Sequence, residues 1–348
     1  MSDKQVQKSG DDSFNIQAKS VNIQTGLTHS DVKGIALDVF KDNFAHLSVV
    51  AADKAKKRAE EITENFLNGL EKQNREALNQ AQNPDFQYSL FTVQKEYAKS
   101  GDKNLGDLLV DILVERTKVD QRCLLQIVLN ESLAVAPKLT TSQLCALSII
   151  FSLKYTRYSR MNSLDILKQH IEHRLAPFVK DLPKSQASYQ HLEFAGCGNI
   201  SIASSNITNI LKQKYPGVFT KGFSREQFGS EIKQISGSEK LLIPCLRDNS
   251  LFQFHATDFE VLKNEAKKNG ITKTEYLKLK AFWKKYLLGN EELKKELINK
   301  NENMAIIYDV WENTPMKSMS LTSVGIAIAH AYTRSKTGDS EDLSIWIN

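Results

Sequence analysis

The most apolar stretch of the chain is Leu144-Cys145-Ala146-Leu147-Ser148-Ile149-Ile150-Phe151-Ser152-Leu153. Thr141 can cap a helix that runs from Gln143 to Tyr158 and contains this stretch. Such a helix is hydrophobic on most sides, as is typical of a helix in the centre of a core. The stretch is much shorter than the roughly 20 apolar residues that cross a bilayer. It therefore predicts a soluble, mainly α-helical protein built around this segment.

Helical patterns continue on both sides of the central helix. Their apolar spacing predicts three preceding helices and one following helix, over Phe86–Lys99, Leu105–Val119, Leu124–Val135 and from Asn162 or Ser163 to Arg174. Prolines at Pro84 and Pro183 interrupt the pattern at its two ends. We interpret residues 83–182 as a helical bundle.

Residues 28–82 read as one long helix. Apolar side chains recur there in steps of mostly three and four, at Val32, Leu37, Phe40, Phe44, Leu47, Ala51, Ala55, Ala59, Ile62, Phe66 and Leu70. If it is continuous, a helix of this length is a rod on the order of 75 Å. Gly34 and Gly69 are its weak points. The pattern predicts a stalk that packs, like a coiled coil, against partner chains or against the bundle.

Residues 183–348 differ in composition, because glycine and serine are frequent between residues 185 and 255. Two short apolar runs, Leu241–Pro244 and Leu251–His255, flank a turn sequence and predict a β-hairpin. Leu321-Thr322 is expected to open a helix, and residues 343–347 alternate as in a last strand. We interpret this part as a smaller, mixed α/β and mostly helical C-terminal domain.

The charge and the cysteines limit the class of protein. The formal net charge is +5, and a surplus of basic residues lies in a lysine-rich stretch between residues 263 and 300. The four cysteines, Cys123, Cys145, Cys197 and Cys245, form no CxxC pair, which indicates reduced thiols in the cytoplasm. The polar N-terminus carries no secretory signal pattern. The sequence predicts a cytoplasmic protein with no membrane partner and no cofactor.

The N-terminal leader (residues 1–27) contains two copies of one four-residue motif, Phe14-Asn15-Ile16-Gln17 and Val21-Asn22-Ile23-Gln24. We call each copy a leader word. In extended chain, side chains two residues apart share a face, so each copy presents an apolar face. Two strands of this length are marginal alone in water. The repeat predicts a β-type segment that assembles with copies from other chains, and therefore a homo-oligomer.

Both ends of the chain resemble known proteins. The leader from Gly10 to Ala18 resembles one found on diverse bacterial proteins, many uncharacterised and some associated with mobile elements and anti-phage defence, although Asp12 stands where that leader more usually has Asn. The closing Leu321-Thr322-Ser323-Val324-Gly325-Ile326-Ala327-Ile328-Ala329 and Asp342-Leu343-Ser344-Ile345-Trp346-Ile347 resemble the end of one such uncharacterised family. The resemblance implies a bacterial cytoplasmic protein in a defence setting, and it supplies no catalytic residue.

Three sequence patterns are candidates for chemistry. His170 and His173 share a helix face and can reach one metal ion, but solvated histidines are the simpler interpretation. The segment Gly196-Cys197-Gly198-Asn199 lacks the lysine of a phosphate loop, so a tight turn is favoured. Asp258 with Glu265 and Lys267 resembles a nuclease pattern, yet its apolar spacing is helical. None of them predicts a metal site or a catalytic residue.

A lysine-rich helix is the remaining candidate, because Lys278, Lys284 and Lys285 interleave with aromatic residues that can stack on bases. The aromatic residues fall at helical spacing, which favours their burial and a solvated lysine face. The leading hypothesis is a non-enzymatic, homo-oligomeric sensor or scaffold, which can also have a protein partner. A nucleic-acid-binding module using residues 263–300 and an enzyme with its site in residues 185–255 are the alternatives.

Overall fold

The computed structural model describes residues 27–43, 48–119, 121–232, 234–339 and 341–348. The predicted mainly α-helical fold is confirmed, and the described part contains fifteen α-helices and two small sheets. The leader residues Phe14 to Gln24 lie outside the described residues. Among the described residues, none of the helices combines the length and the apolarity needed to cross a membrane.

Among the described residues before Gln186, all regular elements are helices. The α-helices there are α1 (His29–Asn43), α2 (Val49–Gln73), α3 (Pro84–Ser100), α4 (Lys103–Arg116), α5 (Leu124–Val135), α6 (Thr141–Ile150) and α7 (Leu164–Arg174). A 3-10 segment over Arg75–Gln82 joins α2 to α3. A π-helical turn over Phe151–Tyr155 continues α6. Thr140, one residue before the expected Thr141, caps α6, and Ser163 caps α7 as the sequence allowed.

The remaining helices alternate with short strands. They are α8 (Gln186–Phe194), α9 (Ile207–Lys214), α10 (Arg225–Glu231), α11 (Phe259–Lys268), α12 (Lys273–Lys285), α13 (Asn290–Lys300), α14 (Asn303–Asn313) and α15 (Ser323–Thr337). The strands are β1 (Gly198–Ile200), β2 (Leu242–Pro244), β3 (Phe252–Phe254) and β4 (Met319–Leu321). β1 pairs antiparallel with β4, and β2 pairs antiparallel with β3, as the predicted hairpin requires.

The stalk prediction is wrong, because α1 and α2 fold back against each other. The Lys33 ammonium lies 2.7 Å from a carboxylate oxygen of Glu64. In one continuous helix these two residues would be separated by about 46 Å. Both helices bury their apolar faces in one hydrophobic cluster, α1 through Val32 and Ala36 and α2 through Phe66. The apolar spacing therefore continues from α1 into α2 although the helix does not.

Most of the chain shares one hydrophobic cluster, which we call the main core. It extends along the sequence from Val32 to Ile347 and includes the central helix α6. Helix α15 packs against α4, α5 and α6, and every residue from Gly325 to Thr333 is buried. The last described helix therefore lies in the middle of the N-terminal bundle. The domain boundary expected at residue 182 does not separate two cores.

A segment inserted in the sequence of the main core forms a second core of its own. This second core comprises buried residues between Phe223 and Trp283. The chain leaves and re-enters the main core at adjacent points, because the Leu288 amide donates to the Phe219 carbonyl at 2.8 Å. Thr220 and Leu287 form an antiparallel bridge beside them. The expected C-terminal domain of residues 183–348 is therefore divided, and only its middle part has a core of its own.

The last strand predicted for residues 343–347 is also wrong. Leu343–Ile345 forms a 3-10 turn, and the Trp346 indole N–H donates to the Tyr155 carbonyl at 2.9 Å. The ring of Trp346 lies 5.0 Å from that of Phe151. In a strand Leu343, Ile345 and Ile347 would share one face, but the 3-10 turn buries Leu343 and Ile347 in the main core and leaves Ile345 exposed. The C-terminal segment is thus held against the π-helical turn.

Candidate functional site

The leader joins the folded body directly. Leu27 already packs against the main core, and the Thr28 side chain caps α1 by accepting the Asp31 amide at 3.2 Å. The Asp31 carboxylate in turn accepts the Thr28 amide at 2.9 Å. The predicted assembly residues therefore precede a helix whose start is fixed by two reciprocal hydrogen bonds.

Helix α12 buries its aromatic residues, as the spacing predicted. Tyr276, Phe282 and Trp283 are buried in the second core, whereas Lys278, Lys284 and Lys285 are exposed. At 3.6 residues per turn, Lys278 and Lys285 share a face, and Lys284 lies about 120° away from Lys278. The three lysines therefore belong to two faces of the helix, and the stacking surface that a nucleic acid would use is directed inward.

Carboxylates accompany many lysines of the region 263–300. Lys285 pairs with Glu231, and the ammonium of Lys284 lies 5.9 Å from the centre of the Phe259 ring. Further ion pairs join Lys263 to Glu260, Lys268 to Glu265 and Lys294 to Glu312. Exposed pairs of this kind contribute little to stability. They do interrupt the positive surface that a phosphate backbone would follow.

The Gly196–Asn199 segment is a packing junction, in which a turn at Gly196 leads into strand β1 at Gly198. Gly196 has a φ of +76°, a conformation that favours glycine. The Cys197 carbonyl accepts the Thr322 amide at 3.1 Å, and a Cβ on Gly325 would lie 1.8 Å from that carbonyl oxygen. Burial raises the pKa of the Cys197 thiol to about 12. The thiol therefore stays protonated at neutral pH and is a poor nucleophile.

The carboxylates of the nuclease-like pattern have structural partners. Asp258 caps α11, where its Oδ1 accepts the amides of Glu260 and Val261 at 2.8 and 3.0 Å. Its other oxygen pairs with Arg157, and Glu265 pairs with Lys268. Asp258 and Glu265 therefore lie on a capped helix, as the helical interpretation requires.

His170 and His173 line a cleft of about 450 Å³, which we call the His170 cleft. Its walls come from the turn after the π-helical turn, from α7 and from the segment after α15, with Tyr158, Ile166, Gln169, His170, His173, Arg174, Asp339 and Glu341 as lining residues. Leu167 and Ile171 anchor α7 in the main core and turn its other side toward the cleft.

Arg174 holds the floor of the cleft together. Its Nε lies 2.6 Å from Asp339 Oδ2, and its terminal nitrogen donates to Glu341 Oε1 at 2.7 Å. His173 Nε2 lies 3.3 Å from the same Asp339 oxygen. Arg174 is buried, and a buried charge is costly unless it is paired. The two carboxylates therefore fix the end of the chain against α7.

Aromatic rings surround His170. The ring centre of Tyr158 lies 5.5 Å away at 34°, and that of Tyr215 lies 6.4 Å away at 68°. Burial, together with the charges of Arg174 and Lys214, lowers the pKa of His170 to about 4. The imidazole is therefore uncharged at neutral pH, so it can accept or donate a hydrogen bond.

Lys154 within the π-helical turn and Lys214, which donates to carbonyls at that turn, also have lowered pKa values. Lys214 donates to the carbonyls of Leu153 and Thr156 at 2.5 and 2.6 Å, and burial lowers its pKa to about 8. Burial also lowers the pKa of Lys154 to about 8, and its ammonium donates to the Lys317 and Met319 carbonyls. Neither lysine lines the His170 cleft, and Lys214 influences it through the charge that helps to lower the pKa of His170.

The two carboxylates near His170 and His173 are paired with Arg174 and are not arranged with the histidines as metal ligands. Within the described ranges, no group of three or more His, Cys, Asp and Glu side chains has an arrangement that could hold a metal ion. The cleft instead combines an exposed aromatic ring, a neutral imidazole and an arginine that is paired with two carboxylates. This arrangement can bind a small molecule by stacking and hydrogen bonding.

Sequence reasoning identified only part of the cleft. The pair His170 and His173 stood out by spacing, but Arg174 and Tyr158 carried no separate signal. Asp339 and Glu341 lie more than 160 residues further along the chain and reach the cleft only because α15 returns to the bundle. A helix start at Leu321-Thr322 and a stop at Gly338 were the available hints.

The fold and the site define a helical-bundle protein that has an inserted second core and a polar, aromatic cleft. The profile of one uncharacterised family matches residues 26–347, nearly all of the chain, and the protein belongs to that family. No curated protein and no solved structure matches the chain.

Proposed function

We propose that this protein is a homo-oligomeric, non-enzymatic sensor or scaffold that acts in the bacterial cytoplasm. The leader words at residues 14–17 and 21–24 join the chains, and the helical body carries the ligand cleft and surfaces for a protein partner. The observation that carries this proposal is the direct attachment of the leader to α1. An assembly formed by leaders would position whole bodies and would not merely tether them.

The attachment is rigid on the side of the body. Val32 and Ala36 of α1 are buried in the main core, and Phe40 is buried with Ala55 and Ala59 of α2. Only residues 25 and 26 separate the second leader word from Leu27, which packs on that core. Gln24 and Leu27 are therefore three residue steps apart, which span at most about 11 Å. Bodies joined through their leaders would therefore lie close to one another.

The cysteines support the cytoplasmic setting. All four are free thiols, and Cys145, Cys197 and Cys245 are buried. Reduced buried thiols are typical of reducing compartments. The defence setting is supported by the resemblance of both chain ends to bacterial proteins, some of which are associated with anti-phage defence.

The test of assembly is the mass of the particle in solution by light scattering. Ile16→Asp with Ile23→Asp places charges on the apolar face of both words, so the mass should fall toward that of one chain. Ser13→Asp with Ser20→Asp adds the same charge outside the words and should leave the mass unchanged. Circular dichroism should show an unchanged helical body in both variants. An equal mass for all three proteins would refute the leader as the assembly element.

The defence setting has its own test. Bacterial cells that produce the wild-type protein from a plasmid are challenged with a panel of phages, and plating efficiency is compared with cells that produce the Ile16→Asp, Ile23→Asp protein. Protection by the wild-type protein and not by the variant would support a defence role that needs assembly. Equal plating on cells with and without the wild-type protein, across the panel, would count against that role.

A further inference from the structure

The His170 cleft has an aromatic wall with one accessible face. Tyr158 is 39% exposed although it is in contact with His170, and its amide donates to the Tyr215 hydroxyl at 2.9 Å. The Tyr215 hydroxyl thereby fixes the backbone that carries the Tyr158 ring. An aromatic ring that is held in place at a concave site offers a stacking surface for a flat ligand.

The charged side chains that line the cleft are one arginine and two carboxylates, which leaves a surplus of one negative charge. The guanidinium of Arg174 is shared between Asp339 and Glu341, and Lys214 is directed to backbone carbonyls. His170 is neutral at physiological pH. A ligand with several negative charges would meet two carboxylates and an arginine that is already paired. The lining therefore favours an uncharged ligand over a phosphate-rich one.

Polar groups of both kinds surround the opening. Gln169 carries an amide that donates and accepts, His173 carries a ring that can do both, and the carboxylate of Glu341 accepts. Mixed donor and acceptor groups match the edge of a nitrogen heterocycle. The volume of about 450 Å³ lies in the usual range for small-ligand sites.

From the wall, the charge balance and the polar rim we infer that the His170 cleft binds an uncharged, planar heteroaromatic molecule of nucleobase or nucleoside size. The ring stacks on Tyr158, and its polar edge is read by Gln169 and His173. This ligand class deepens the proposed sensor function, and only the biological role of the ligand rests on that proposal. Binding itself is a property of one body.

Binding is tested by calorimetry on the full chain with adenosine, guanosine, cytidine and uridine, each beside its 5′-monophosphate. At least one nucleoside should bind with one site per chain, and its monophosphate should bind no more tightly. Tyr158→Leu should weaken binding about tenfold, which is the loss expected from one base–aromatic stack. Tyr88→Leu removes a tyrosine that is 73% exposed on α3 and should change nothing.

Gln169→Leu provides a second variant, at an exposed position where folding is not at risk. It should weaken binding and change the preference among the four nucleosides. Three outcomes would overturn the inference: no nucleoside bound at millimolar concentration, equal binding by wild-type, Tyr158→Leu and Gln169→Leu proteins, or much tighter binding of the monophosphates. Light scattering on the same samples separates this result from assembly, because a monomer that binds a nucleoside would refute the leader proposal alone.

Discussion

The main core and the second core differ in the type of side chain that fills them. The main core is largely aliphatic and joins residues from Val32 to Ile347, whereas the second core uses one contiguous segment and stacks aromatic rings. Phe223 alone lies within 6 Å of four other rings, those of Phe228, Phe254, Phe282 and Tyr286. A local segment can close a core early, but the main core needs both ends of the chain. The two cores should therefore fail in different ways.

The largest difference should appear on removal of chain segments. Deletion of residues 323–348 removes α15 from the centre of the bundle and should abolish cooperative unfolding of the main core. Replacement of residues 221–286 by Asn-Gly joins Thr220 to Leu287, which already face each other across an antiparallel bridge. This second protein should keep a cooperative thermal transition in circular dichroism. Retained cooperativity in the first protein would contradict the assignment of α15 to the main core.

Among the changes that add one methyl group, Gly325→Ala should lower the stability of the folded protein the most. Its Cβ would lie 1.8 Å from the Cys197 carbonyl oxygen, and the β1–β4 pairing leaves the backbone there no room to move. We expect a loss of about 4 kcal/mol in the free energy of unfolding, measured in urea. Gly34→Ala on α1 and Gly229→Ala on α10 meet open space and provide matched controls. Equal stability of Gly325→Ala and the controls would refute the close contact.

Acid should weaken the main core through His170. Its pKa is about 4 in the folded protein and near 6.5 in the unfolded chain, so the unfolded chain binds more protons between these values. Stability is therefore fully present above pH 6.5 and is lost as the pH falls to 4, by at most about 3 kcal/mol. His170→Phe keeps a ring against Tyr158 and should flatten this part of the curve. Identical pH curves for both proteins would contradict the prediction.

Each core contains one buried tryptophan whose indole nitrogen can be compared with that of the other. The Trp311 indole N–H donates to the Ser205 carbonyl at 2.7 Å, whereas the buried Trp283 N–H has no hydrogen-bond partner among the described residues. Both changes to Phe leave a small void, but only Trp311→Phe also breaks a hydrogen bond. We expect Trp311→Phe to cost about 1 kcal/mol more than Trp283→Phe in urea unfolding. The reverse order would show that packing outweighs the hydrogen bond.

The smallest effect concerns the lysines of the second core. Lys278→Glu, Lys284→Glu and Lys285→Glu together should reduce only a weak, sequence-blind binding of DNA or RNA that fades as salt rises. The triple change Lys54→Glu, Lys56→Glu and Lys57→Glu on α2 alters the charge equally on the main core and should have a comparable effect. Fluorescence anisotropy at two salt concentrations measures both. A tight, salt-resistant complex that only the first triple change abolishes would make nucleic-acid binding the leading function.

The sequence predicted local structure well where a helix end has its own signal. Helix α5 occupies the expected residues Leu124–Val135, and Gly101 and Gly338 end α3 and α15 in the left-handed conformation. The rod from residue 30 to residue 82 failed because apolar periodicity records burial and not continuity. A hairpin of two helices on one core and a single long helix leave the same stripe.

The cleft was less predictable because its parts meet only in three dimensions. His170 and His173 are adjacent on α7, but Tyr215 and Asp339 arrive from α9 and from beyond α15. Helix α14, which carries the buried Trp311, was not predicted, although it supplies part of the main core. Tertiary contacts of this range cannot be read from spacing within one segment.

The central position of α15 also sets an order of events during synthesis. The bundle helices leave the ribosome first, but their shared core stays open until the residues after Thr322 have been made. The inserted second core can close before the main one during that interval. If the leaders assemble as proposed, chains growing on the same messenger RNA would meet through them before their bodies are complete.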